Sequence, residues 1–264
     1  MTPRTARRRH PLAGLAVLLL ALLATGAVYS VLAPTADRAE AAAADEDLVA
    51  EGRELFLSNC ATCHGLSAEG STDGPSLIGV GAAAVDFQVG TGRMPLAQPG
   101  PQEKRKPTQF TRDQIRAMAA YIATLGPGPA IPEGEALEYE NLSAEEIAEG
   151  GEIFRTNCTM CHNYAGAGGA LTEGKFAPAL YDVLPVHVYE AMLTGPAAMP
   201  VFSDTQLSTE DKRKIIGYLK SIEDEPAAGL RLGQLGPVSE GLFEWTIGLG
   251  SLIACAVWLG AKAK

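Results

Sequence analysis

Residues 59–65, NCATCHG, place two thiols three positions apart with an imidazole directly behind the second, and residues 157–163, NCTMCHN, repeat the arrangement. Two thiols on one short turn can each form a thioether with a vinyl group of a porphyrin, and the adjoining imidazole then stands over the iron. A Cys-x-x-Cys-His run is the sequence signal for covalent c-type haem attachment. Cys60, Cys63, Cys158 and Cys161 are therefore the expected thioether donors, His64 and His162 the expected proximal iron ligands, and two covalently bound haem c groups the expected cofactors. Other uses of paired cysteines fit less well. Structural zinc pairs are commonly separated by about 12–20 residues, whereas 94 lie between Cys63 and Cys158. A thioredoxin-like redox pair wants a βαβ context, which is missing, and a disulfide within Cys-x-x-Cys does not ask for the histidine.

An iron with one histidine has an open side. Met94-Pro95 follows His64 by 30 residues and Met199-Pro200 follows His162 by 37, each in a Gly/Pro loop. A thioether from Met94 and from Met199 would complete His/Met ligation, which raises haem potential. Met118 and Met160 read instead as apolar filler. Met192 is a closer rival to Met199, but it sits in the helical-looking run VHVYEAML and has no partner in the first copy. His187, in the same run, reads as a surface or packing histidine. Pro75 and Pro178, 11 and 16 residues after the histidines, are expected to shape the loop beneath each imidazole without touching iron. Cys255, alone in an apolar run, is expected to pack as a small hydrophobe.

The elements that must hold these groups are also present twice. Gly52 and Gly150, Phe56 and Phe154, Asn59 and Asn157, and Cys60 and Cys158 are each 98 positions apart. GPSL pairs with APAL, TGRMP with TGPAAMP, and TRDQIRAMAAYIATL with STEDKRKIIGYLKSI, all in the same order. A repeat of this kind marks a duplicated domain. Each copy opens and closes with an amphipathic helical pattern. Thr111 with Gln114, and Ser208 with Asp211, provide N-terminal capping signals. Gly52 and Gly150 sit inside helical patterns, where close crossing by another helix would explain them. The Gly/Pro-rich stretches between read as loops, and no alternating strand run appears. The first copy also carries an insertion, residues 96–109, which the second largely lacks.

Charge separates the middle of the chain from its ends. The net charge is −10, six of the cations lie at the extreme termini, and every acidic residue falls between Asp37 and Glu244. So acidic an interior excludes a nucleic-acid partner, since phosphate binding needs a basic surface. Residues 12–32 are uncharged behind an arginine cluster, and residues 245–261 form a second uncharged run followed by Lys262 and Lys264. About 20 apolar residues cross a bilayer. Basic flanks mark the cytoplasmic side, so both termini read as inside and the middle as exported. The first run is either a retained membrane helix or a cleaved signal.

The expected fold is thus mainly α. The expected layout has a cytoplasmic N-terminus over residues 1–11 and a transmembrane helix or signal-anchor over 12–33. A linker over 34–46 leads to a first domain at 47–126, a linker over 127–143 to a second at 144–225, and a linker over 226–241 to a transmembrane helix at 242–260 and a short cytoplasmic end.

With these residues in hand, each copy resembles a class I cytochrome c domain: opening helix with Gly and Phe, Cys-x-x-Cys-His, a GPSL or APAL loop, a Met-Pro loop, and a closing helix with Tyr. Over residues 47–260 the chain resembles the dihaem cytochrome c subunits of actinobacterial cytochrome bc complexes, through CATCHG, GPSLIGVG, FQVGTGRMP, CHNYAGAGGAL, GKFAPAL, AMLTGPAAMP and FEWTIG. The resemblance implies electron relay in menaquinol oxidation. The implied partners are a cytochrome b subunit, a Rieske iron–sulfur subunit, the copper-centre subunit of a haem–copper oxidase, and the lipid membrane. In that family the first haem takes the place of cytochrome c1's haem and the second replaces a diffusible cytochrome c. The rival readings are the cytochrome subunit of a periplasmic dehydrogenase and a dihaem peroxidase. The peroxidase needs one haem open to substrate, which two Met-Pro loops oppose.

Overall fold

A computed structural model describes residues 11–32, 46–98, 100–224 and 241–262. The basic N-terminal stretch, the linkers expected over 34–46 and 226–241 (their border residues apart), and residues 263–264 lie outside these. Residues 1–43 and 44–264 form two separate compact units. The first holds one apolar helix, α1 (Pro11–Leu32). In the second, the first copy runs through α2 (Glu46–Asn59), α3 (Ala61–His64), α4 (Gly81–Gly90) and α5 (Arg112–Ala123). The second copy runs through α6 (Ala144–Asn157), α7 (Thr159–His162), β1 (Gly169–Ala170), β2 (Phe176–Ala177), α8 (Pro185–Thr194) and α9 (Thr209–Asp224). The last described element is α10 (Gly241–Lys262), the one helix among the described residues long and apolar enough to cross a membrane.

Opening and closing helices cross at backbone contact in both copies. A Cβ at Gly52 would strike the carbonyl of Ala117, and one at Gly150 that of Lys214. The helical glycines, which cost about 1 kcal/mol each against alanine, are thereby explained. Beside each crossing an aromatic pair repeats: Phe56–Tyr121 with centroids 5.4 Å apart and Phe154–Tyr218 at 5.6 Å. Around them lie two cores, one with Ile115, Met118 and Ile122, the other with Met192, Ile215 and Leu219. The expected caps form. Thr111 Oγ1 accepts from Gln114 N–H, and Ser208 Oγ accepts from Asp211 N–H at 3.1 Å. Ser143 and Glu146 make a third capping box that the sequence reading passed over.

Two expectations need correction. The region between attachment motif and Met-Pro loop was expected as loop, yet in the first copy it contains α4. Its run GAAAVDFQVG has little amphipathic pattern because Ala83, Val85, Asp86, Phe87 and Val89 are all buried, so tertiary packing sets the helix. The second copy also holds a two-stranded antiparallel ladder, with Gly169 opposite Ala177 and Ala170 opposite Phe176.

Helices α4 and α8 pack against each other and join the two copies. Between them Asp86, His187 and Glu190 are buried together, with His187 Nε2 3.6 Å from Asp86 Oδ2. Arg112 Nη1 lies 3.1 Å from Asp86 Oδ1. His187 is therefore a packing histidine, 4 % exposed, and not a surface one. Burial, reinforced by Asp86, pushes the Glu190 carboxyl up to about 10. Burial also raises Asp86, but His187 and Arg112 outweigh it and hold Asp86 below its ordinary value. The folded chain thus keeps the Glu190 proton that the unfolded chain gives up near its usual 4.5, and stability falls as pH rises between these limits. Glu190→Gln removes the ionisation. Its thermal stability relative to the unsubstituted chain should rise steadily from about pH 5 to about pH 9, at most on the order of 1 kcal/mol per pH unit. A difference in melting that stays flat over that range would contradict this assignment.

Candidate functional site

Each attachment motif forms one helical turn at the end of its opening helix. Cys60 N donates to Phe56 O at 2.8 Å, and Cys63 N and His64 N both return to Cys60 O at 3.1 and 3.0 Å. The second copy repeats this: Cys158 N to Phe154 O at 2.8 Å, then Cys161 N and His162 N to Cys158 O at 3.2 and 2.9 Å. Residues three apart on a helical turn are neighbours on one face, so the two thiols of each pair lie side by side. The chain then reverses through a left-handed residue, Gly65 at φ 82° and Asn163 at φ 65°. A return loop brings a proline beneath the imidazole.

That proline fixes the histidine. His64 Nδ1 lies 2.8 Å from the Pro75 carbonyl, and His162 Nδ1 lies 3.0 Å from the Pro178 carbonyl. A carbonyl only accepts, so Nδ1 carries the proton and Nε2 keeps its lone pair, as a metal-binding imidazole requires. Burial, only partly opposed by the Pro178 bond, lowers the pKa of His162 and keeps its ring neutral. The thiols are equally informative. Burial, with the neighbouring cysteine as a lesser cause, pushes Cys60 and Cys158 each up to about 11. Redox and metal-binding cysteines have depressed pKa values, and neither of these thiols does.

Each Met-Pro methionine lies in the loop ahead of its closing helix. Met94 N donates to Gln88 O and Met199 N to Pro196 O, both at 3.0 Å. Met94 packs with Cys60 and Leu77 against the first core, and Met199 with Cys158 and Leu180 against the second. In the second copy a cleft is lined by Cys158, Cys161, His162, Pro178 and Met199 together with Phe154, Leu180, Val188 and Leu219. This brings together all four residues singled out for the second site, in apolar surroundings that suit a porphyrin face. In the first copy His64 is buried and Cys63 is exposed, with Cys60 and Met94 bordering one core.

The remaining sulfurs are placed as follows. Met118 is buried in the first core as expected. Met192 is buried in α8 and also lines the second cleft, so it remains a spatial rival to Met199. Met160, expected as filler, is 95 % exposed, because it occupies the outward position of the attachment turn. Cys255, expected to be packed, is exposed on α10. The sequence reading also missed residues of the first copy, Phe87, Arg93, Gln102 and Arg105, that line the second cleft. Gln102 and Arg105 fall in the insertion at 96–109, which is their only sequence signal, whereas Phe87 and Arg93 precede it.

Comparison with known proteins agrees with this geometry. The family model "Cytochrome c" matches residues 49–126, and "Cytochrome C oxidase, cbb3-type, subunit III" matches residues 145–219. Three similar proteins are each called cytochrome bc1 complex cytochrome c subunit. The one from Corynebacterium efficiens is 44% identical over 97% of this chain and 90% of its own. That of Mycobacterium leprae is 45% identical over 94% and 87%, and that of Mycobacterium bovis 44% identical over 98% and 95%. Two helical copies, each with a paired thiol turn and a proline-held imidazole, match what those proteins are named for: the chain belongs to the family of cytochrome bc1 complex cytochrome c subunits and carries two covalently bound haem c groups.

Proposed function

We propose that this chain is a membrane-anchored electron relay. It takes electrons from a cytochrome b and Rieske menaquinol-oxidising core at its first domain and delivers them from its second to the copper centre of a haem–copper oxidase. The observation that carries the reading is the duplicated imidazole geometry, with Nδ1 on a proline carbonyl at 2.8 and 3.0 Å. Each domain thus leaves Nε2 of its histidine free of the proline bond and able to take a metal, with a Met-Pro loop in the same copy to supply a second ligand. Bound haem would supply a reversible one-electron iron couple. The protein's part is to hold that couple. Cys60, Cys63, Cys158 and Cys161 anchor it, His64 and His162 with Met94 and Met199 ligate it, and the apolar lining keeps water out. Met199 is preferred over Met192 because Met94 stands at the same place in the first copy, whereas Met192 has no counterpart there.

The relatives' names favour a place in a bc1 complex, and α10, with Lys262 at its end and Lys264 beyond it, favours a plasma-membrane anchor with the domains on the outer face. Two carriers on one chain raise the effective concentration of the second donor, so no free shuttle is needed. A tagged copy purified from mild detergent should bring down cytochrome b, Rieske and oxidase subunits. That preparation should couple menaquinol oxidation to oxygen reduction without added soluble cytochrome. Recovery with a dehydrogenase instead, or dependence on an added carrier, would overturn the assignment of partners.

A further inference from the structure

The insertion at residues 96–109 has no evident part in the relay, yet it lies against the second copy. Gln102 Oε1 accepts from Phe176 N–H at 2.8 Å, and Arg105 Nη2 donates to the Asp182 carbonyl at 2.8 Å. Through these contacts Gln102, Glu103 and Arg105, with Arg93 just ahead of Met94, line the cleft that holds Cys158, Cys161, His162 and Met199. The second copy contributes neither lysine nor arginine to that lining; its cations are Arg93 and Arg105, both from the first copy.

The two guanidiniums are in an unfavourable position as they stand. Arg93 is half-buried with its guanidinium 4.6 Å from the centre of the Phe87 ring. Among the described residues no carboxylate forms an ion pair with either arginine. A half-buried guanidinium beside a second cation, with no carboxylate paired to either, is a place where an anion would be stabilised. A haem carries two propionate carboxylates on one edge, and the planar arginine fork suits carboxylates better than any other cation in the chain.

We propose that Arg93 and Arg105 are the propionate clamp of the second haem, supplied by the first domain across the interface. This rests on the second cleft being a haem site. The insertion then has a task, which is to carry Arg105 to a cleft whose own domain lacks a cation. A further consequence is that the first domain helps to set the potential of the second haem. Cationic partners offset the carboxylates' stabilisation of ferric iron, so removing them lowers that potential.

The test is redox titration of the intact purified complex, followed by absorbance. The second haem is identified as the one that Met199→Ala displaces. Arg105 is exposed, so Arg105→Gln changes charge without opening the core. The second haem's midpoint should fall in Arg105→Gln and fall further in the Arg93→Gln/Arg105→Gln pair. Arg105→Lys, which keeps the charge, should recover at least half of the single variant's loss. A midpoint unmoved in both glutamine variants overturns the clamp. So does an equal fall with lysine and glutamine, or a shift confined to the first haem. Failure of the underlying haem-site reading is distinguishable, because it would show as fewer than two covalent haems in the unsubstituted chain.

Discussion

Met199→Ala will lower the potential of one haem and abolish its methionine–iron absorption band, leaving the other haem unchanged. Axial ligands set haem potentials over about 0.8 V, and loss of a thioether in favour of water or a stronger donor should cost on the order of 0.1 V or more. The expectation is sharp because two methionines line the second cleft. Met192 is 3 % exposed within α8, whereas Met199 is the half-buried residue of the loop that matches Met94. Met192→Leu, a swap of similar volume, should cost less than about 1.5 kcal/mol of stability and leave the band in place. If the band survives Met199→Ala and disappears in Met192→Leu, the ligand assignment is reversed. Met94→Ala should have the same effect on the first haem.

Replacing Cys60 and Cys63 together should leave a chain with one covalent haem, read as one haem mass on the intact polypeptide. The two sites are separate attachment turns on separate opening helices, with cores around Phe56 and Phe154 respectively. The second turn should therefore mature without the first. Quinol-driven reduction of the remaining haem in the complex should then slow by orders of magnitude, because the first domain is the proposed entry point. Two haems on the double variant would refute the attachment assignment. Unimpaired electron delivery to the second haem would refute the order of the relay.

What could be read from the sequence is what is local or repeated. The attachment turns, the proline-bearing loops, the Met-Pro loops and the caps at Thr111 and Ser208 each occupy a short run and, the duplication aside, need no distant partner. Ser143 with Glu146 carried the same signal and was legible though unread. Helix α4 was not, since all its sides are covered and a helix buried all round loses the period that would reveal it. The Asp86–His187–Glu190 cluster joins residues about a hundred positions apart in copies that do not share them, so the repeat itself hid it. The same holds for Arg93 and Arg105. Alignment of the two copies marks the insertion as a difference, and only the packing of one domain on the other shows that it faces the second cleft. Met160 misled because hydrophobicity predicts burial only on average; the geometry of the attachment turn decided its exposure.

The most direct test is the number of haems per polypeptide, measured as pyridine haemochrome against protein concentration on the purified subunit after acid–acetone extraction. Two c-type haems per chain, resistant to extraction, is the predicted result. One or none, or haem that the extraction removes, would contradict the account at its base.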